Sequence, residues 1–376
     1  MIYLDSAATS LIKPYSVSVA VTAALRTMAS PGRGGHAAAM LAAQKAYETR
    51  ELAAALFNMR DPGRIVYSMN ATHALNTAFK SYDLYGKKVV ISGWEHNSVV
   101  RPIYAAGAAI TVARSPLFDK EAVVRAYRDS IDGAALAVVN HVSNVFGSIL
   151  PVEEIALLCS KRGVPLVIDA SQSAGILPID SEALNADFIA MPGHKGLYGP
   201  QGIGLLLCTG NNERPHPLLY GGSGMASRSS DMPDYLPERL EAGTHNMPGI
   251  CGLGAGIKYV LEKGTESLLE HERSLLRLTV EKLSSIKKIK LYCANNIDNQ
   301  TGVLSFTVDG VQSEAVASAL DEAGIAVRAG MHCAPLAHAS AGTYESGTVR
   351  VSFCAFSTSD DVEALAYALT NICKRV

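Results

Sequence analysis

The stretch AMPGHKGLYGPQGIGLLLC (residues 190–208) sets one lysine, Lys195, beside His194 and frames the pair with Pro192, Gly193, Gly196, Gly199, Pro200 and Gly202. Proline fixes φ, and glycine opens turn conformations closed to other residues, so a loop of this composition holds its side chains in place. A lysine held this way can act as a nucleophile toward a carbonyl. Other polar residues recur just past short apolar runs. Glu95, His96 and Asn97 follow KVVIS (88–92), and Asn144 follows LAVVNH (136–141). Asp169, Ser171 and Gln172 close PLVIDASQ (165–172). After RIVYS (64–68) a helical pattern begins at Ala71 and Thr72, whose N–H groups are open to an anion.

Together these residues supply a fixed amine, a carboxylate, a histidine and an anion-ready helix start. A lysine forms a Schiff base with an aldehyde cofactor, and pyridoxal 5'-phosphate (PLP) requires that lysine plus an acid paired with its pyridine nitrogen. Lys195 and Asp169 are the candidates for the two roles. His96 is placed to stack on the ring.

The elements that must position these residues are legible as period. Seven β-branched runs, at 64–68, 88–92, 109–113, 136–141, 165–170, 188–192 and 202–208, read as buried strands. Helical spacing lies between several of them; in PVEEIALLCSKRG, Ile155, Leu158 and Cys159 share a face and Gly163 stops the helix. Alternating strand and helix predicts a mostly parallel sheet with helices on both faces. After about residue 248 the rhythm changes. A long helix near 248–285 leads to a strand at 302–308, a helix near 312–323, a strand at 348–353 and a closing helix. The expected α/β organisation is a large domain over 15–250 and a smaller one formed by 1–14 and 251–376.

Composition narrows the function classes. Hydrophobic residues make up 48% of the 376, enough for a sizeable core, and the net charge of −2 carries no basic patch that would favour nucleic acid. No apolar run approaches about 18 residues, so no membrane span is expected. The start MIYLDSAATS lacks the basic and apolar regions of a signal peptide. Seven scattered cysteines with no CxxC suit reduced thiols, and a cytoplasmic location is expected.

These motifs occur together and in one order, and in that order the chain resembles the class V aminotransferases of fold type I. The likeness is strongest to the cysteine desulfurases, in particular their group II, SufS-like branch, and covers nearly the whole chain. YLDSAATS (3–10), EHNSVV (95–100), HVSNVFG (141–147), DASQSAG (169–175), GHKGLYGPQGIG (193–204), EAGTHN (241–246), VRAGMHCAP (327–335) and VRVSF (349–353) carry the resemblance. It implies a mostly parallel seven-stranded sheet with a smaller C-terminal α/β domain, and PLP as cofactor. It implies that Lys195, Asp169, Gln172, His96, Ala71, Thr72, Asn144, His194 and Ser171 hold that cofactor, joined by Thr244 from a partner subunit. It also implies that Arg350, Arg328 and Asn144 bind substrate, that Arg33 and His36 lie on a loop reaching the neighbouring site, and that Cys333 accepts sulfur. The implied catalytic residues are thus Lys195, Cys333 and His96, in a homodimer with shared sites. The chain departs from the family pattern in places: Pro192 stands where a serine is usual, Ala71 where a threonine is usual, Gly196 lengthens the stretch after the lysine, and the segment after Cys333 is short and polar.

Each residue also has a plainer reading. Asp169 could cap a helix, Arg350 could sit in a salt bridge, and Cys333 could be a buried, inert thiol. His332, Cys333 and His338 lack a fourth ligand for zinc, so no metal is expected. GLGAG (252–256) follows no strand and reads as helix packing rather than a dinucleotide fingerprint. The resulting expectation is L-cysteine desulfurase activity giving L-alanine and a Cys333 persulfide, with an acceptor protein as a further partner. The alternatives are selenocysteine lyase and another class V aminotransferase or β-eliminating lyase.

Overall fold

The computed structural model describes residues 1–32, 34–210, 215–224 and 228–375. In chain order the strands are β1 (Ile2–Tyr3), β2 (Ile65–Ser68), β3 (Lys88–Ser92), β4 (Ala109–Ala113), β5 (Leu136–Asn140), β6 (Leu166–Asp169), β7 (Phe188–Pro192), β8 (Gly204–Cys208), β9 (Ile289–Tyr292), β10 (Val303–Val308), β11 (Ile325–Ala326), β12 (Arg328–Gly330) and β13 (Thr348–Ser352).

β2 to β8 form one seven-stranded sheet in the order β2-β8-β7-β6-β5-β3-β4. β8 alone runs antiparallel to both neighbours. The sheet is buried on both faces because successive side chains of a strand point to opposite sides. Val90, Val139, Ile168, Ile189 and Leu205 enter one apolar core, while Val89, Ile91, Val138, Val167 and Leu206 enter the other. All seven strands read from the sequence are present, their ends differing by no more than two residues from the runs quoted above.

β9, β10, β12 and β13 form a second, antiparallel sheet in the order β12-β13-β10-β9. Leu304, Phe306, Val349 and Val351 pack there against Leu365 and Leu369 of the closing helix, Ser359–Arg375. Leu4 joins that core from the N-terminus, and β1 pairs in parallel with β11.

The stretch read as one long helix is two, Met247–Lys263 and Thr265–Ser284. Gly264, at φ +79°, breaks the run, since that backbone conformation cannot continue a right-handed helix. The glycines of GLGAG lie inside the first of these helices. A Cβ on Gly256 would stand 2.2 Å from the carbonyl oxygen of Leu197, so the glycine is what lets the helix close on the Lys195 loop.

Candidate active site

The parallel strands deliver the chemical residues to one edge, as open α/β sheets do. β6 ends at Asp169, β7 runs into His194 and Lys195, β3 leads to Glu95 and His96, β5 leads to Asn144, and β2 leads to the helix Ala71–Lys80. These ends surround a single cleft whose lining includes Ala71, Thr72, His96, Asn144, Asp169, Ser171, Gln172, His194 and Lys195. Arg328, Cys333 and Arg350 line it from the second sheet and its loops.

Each residue is held by its surroundings. Asp169 is buried, and its Oδ1 accepts the N–H of Ser171 (2.9 Å). Gln172 donates to the carbonyl of Ala7 (2.9 Å), tying the N-terminal segment to the cleft. His194 contacts the Thr9 hydroxyl through Nδ1 (3.0 Å). Burial lowers the Lys195 pKa to about 8; Asp169 opposes that shift, and Arg350 and Arg328 add to it. The amine is therefore far closer to its neutral, nucleophilic form at physiological pH than an ordinary lysine.

Burial likewise lowers His96 to about 4, so the imidazole is neutral at physiological pH. It caps the helix Asn97–Ala105, its Nδ1 accepting the Ser98 N–H (3.0 Å), which leaves the ring proton to Nε2. The Ser98 hydroxyl sits 2.9 Å from the same Nδ1 and 2.8 Å from the Thr72 hydroxyl. At the helix start, Asn70 takes the His73 N–H (2.9 Å), and the earlier N–H groups have no intrahelical acceptor.

Cys333 is exposed and belongs to a strained loop. His332 and Cys333 adopt φ of +47° and +57°, a region that costs non-glycine residues energy. The carbonyl of Cys333 accepts the Asn97 N–H (2.8 Å), joining this loop to the His96 segment. Its Sγ lies 3.7 Å from Nη2 of Arg328, an electropositive setting for a thiolate. His332 and His338 stack with centroids 5.6 Å apart, both buried. Among the described residues no group of His, Cys, Asp or Glu could hold a metal ion.

Arg350 is buried at 1% exposure. Its Nη1 donates to the carbonyl of Asn144 (2.8 Å) and its Nη2 to Asp5 Oδ1 (2.6 Å). Its Nε, like Oδ1 of Asn144, is buried without a hydrogen-bond partner among the described residues.

Two expected residues stand apart. Thr244 is exposed and lines a different cleft, with Tyr67 and His245. His36 is an exposed residue at the start of the helix Ala37–Leu56. Arg33 lies outside the described residues. Asp5 and Ser98 were not singled out from the sequence. Ser98 was within reach of a simple signal, standing two positions after His96 in a helix start. Asp5 gave none, since its partner is 345 positions away.

The chain matches the aminotransferase class-V family over residues 2–365 and belongs to it. Within that family, a protein of Pyrococcus abyssi named probable cysteine desulfurase is 34% identical over 396 aligned residues, covering all of this chain and 94% of its own. A cysteine desulfurase of Yersinia pestis is 32% identical, covering 99% of this chain and 93% of its own. The apo structure of a cysteine desulfurase from Thermococcus onnurineus superposes with a TM-score of 0.91 at 31% identity, covering all of this chain and 95% of the other.

Proposed function

We propose that this chain is a PLP-dependent L-cysteine desulfurase that releases L-alanine and leaves the sulfur on Cys333 as a persulfide. One observation carries the reading: a single cleft joins the lowered-pKa amine of Lys195 and the buried carboxylate of Asp169 to an exposed thiol, Cys333, beside a guanidinium.

The donor set suits PLP. Lys195 would hold its aldehyde, Asp169 its pyridine nitrogen and Gln172 its ring hydroxyl, with His96 on the ring face. The N–H groups of Ala71 and Thr72, with His194 and Ser171, would receive the phosphate. Hydroxyls of Thr72 and Ser98, 2.8 Å apart, compensate for the serine and threonine that Pro192 and Ala71 replace. Asn144 Oδ1 and Arg350 Nε, buried and unpartnered, are an acceptor and a donor left for a bound molecule. When bound, PLP supplies an electron sink that weakens bonds at the substrate Cα and Cβ.

The protein groups divide the remaining work. Arg350 and Arg328 take the substrate carboxylate, because planar guanidinium suits it. Lys195 would take the proton from the substrate Cα at its Nζ and return it there after the sulfur has left. The Cys333 thiolate attacks the substrate sulfur; the Sγ–Cβ bond breaks, its electron pair stays with the carbon skeleton, and Cβ takes a proton to give alanine. His96, with its proton on Nε2, is the donor in that step. Thr244, exposed outside this cleft, and the loop with Arg33 and His36 serve the neighbouring subunit of a homodimer. An acceptor thiol or protein then takes the sulfur. All seven cysteines are unpaired, which suits a reducing, cytoplasmic setting. No helix among the described residues is long and apolar enough to cross a membrane.

The test is product analysis with L-cysteine and a reductant. Alanine and sulfide in equal amounts are expected, and Cys333→Ala should retain cofactor colour yet lose cysteine turnover by about a hundredfold or more. Pyruvate in place of alanine would make the enzyme a β-eliminating lyase. Alanine from L-selenocysteine alone would make it a selenium-specific lyase.

A further inference from the structure

We propose that Asp5 is a positioning residue, which sets the orientation and charge of Arg350 so that its unshared donors receive the substrate carboxylate. The inference rests on the reading of Arg350 as the carboxylate anchor and adds the residue that makes it one.

Arg350 is clamped from two sides. Nη1 is committed to the Asn144 carbonyl at 2.8 Å and Nη2 to Asp5 Oδ1 at 2.6 Å. A guanidinium has five N–H donors in a fixed plane, so two such anchors fix the direction of the remaining three. One of these, on Nε, is buried and has no hydrogen-bond partner among the described residues. Arg350 lines the cleft while Asp5 is not among its lining residues, so the carboxylate braces the guanidinium rather than filling the space in front of it.

The N-terminal segment is stitched in place to do this. Ser352 donates its N–H to the Leu4 carbonyl (2.8 Å), and its hydroxyl accepts the Ala7 N–H (2.8 Å). Asp5 itself bridges to Ser352, two residues from Arg350 along β13. The segment therefore presents Asp5 beside the one arginine of that strand.

Charge makes the same demand. Arg328 and Arg350 are direct cross-strand partners in β12 and β13, and like charges so placed repel. Lys195 adds a third cation to the cleft. Arg328 has no carboxylate within ion-pair distance among the described residues, so Asp5 is the counter-ion for the pair. Removing Asp5 leaves the buried Arg350 guanidinium without its carboxylate partner.

The experiment compares two amines that differ only by a carboxylate, L-alanine and ethylamine. Each is titrated into the PLP-loaded enzyme and followed by the visible absorbance of the cofactor, which reads binding without turnover. Wild type should favour L-alanine strongly. Asp5→Asn should cut that preference about tenfold or more, the loss expected for a charged hydrogen bond to a misplaced guanidinium. Ethylamine binding should change much less. Asp5→Glu, which keeps the charge and moves it by one methylene, should fall between the two, and it serves alone if Asp5→Asn does not fold. An unchanged or increased preference in these variants would overturn the inference, an increase meaning that Asp5 competes with substrate. No preference in wild type would instead refute the carboxylate role of Arg350, and the Asp5 role with it; loss of preference in Arg350→Lys with retention in Asp5→Asn would refute Asp5 alone.

Discussion

At the scale of single residues, the cleft works by moving protons toward useful positions before any substrate arrives. Lys195 is the clearest case. Burial is the largest cause of its lowered pKa, and the neighbouring arginines push the same way against Asp169. The neutral amine is the species that reacts with an aldehyde, and it predominates above the pKa. The rate at which cofactor-free protein recombines with PLP should therefore rise with pH to a half-maximum near 8, well below the 10.5 of an ordinary lysine. A stopped-flow absorbance series across pH 6 to 10 checks this. Lys195→Ala should show no such phase. Asp169 was legible as a strand-end carboxylate and Lys195 as a framed lysine. The fixing of His96 as an Nε2–H ring by Ser98 depends on how the chain turns after β3.

At the scale of elements, the positions of these groups depend on close backbone contacts. The helix Met247–Lys263 packs directly on the loop after Lys195, and Gly256 is what permits it. Gly256→Ala would drive a methyl group against the Leu197 carbonyl, 2.2 Å away, and backbone on both sides leaves little room to yield. We expect a loss of about 1–3 kcal/mol of stability, as in overpacked cores. Because Leu197 lies two residues from Lys195, PLP affinity should fall as well. Thermal melting of the cofactor-free protein and spectroscopic titration with PLP measure the two effects separately. A fall in melting temperature with unchanged affinity would show that the helix does not set the Lys195 loop. The second strained element is His332–Cys333, where two successive residues hold positive φ. Histidine enters that region more readily than most residues, but cysteine does not.

At the scale of the whole molecule, ionisable groups withdrawn from water couple stability to pH. Histidines 96, 141, 194 and 338 are lowered to about 4 and His332 to about 2, chiefly by burial. The unfolded chain binds protons at these sites below its usual 6.5 while the native chain does not, so stability is lost as pH falls through that window. Glu95 and Glu272 act oppositely. Burial raises both to about 8, so the native state holds protons that the unfolded chain releases above 4.5, and stability declines as pH rises toward 8. Between 4.5 and 6.5 the five histidines outweigh the two carboxyls; from 6.5 to about 8 the carboxyls dominate, and beyond that Lys13 and Lys195, both lowered to about 8, act in the opposite sense. The cofactor-free protein should be most stable near pH 6.5, judged by urea midpoints at pH 5, 6.5 and 8. Glu95→Gln should flatten the decline on the alkaline side.

The sequence by itself determined the seven-stranded sheet, its alternation with helices, and the polar residues that stand at the strand ends. Those features follow from short-range rules: strand period, helix caps, and the backbone stiffness of glycine and proline. Only the tertiary structure decided what these groups touch. The Asp5–Arg350 pair and the hydrogen bond from the Asn97 N–H to the Cys333 carbonyl join segments far apart in the chain. Pairings of that kind are fixed by how packed layers meet, and no local pattern records them. The break at Gly264 is the intermediate case, since a lone glycine within a helical pattern is tolerated or not according to where the two halves must pack.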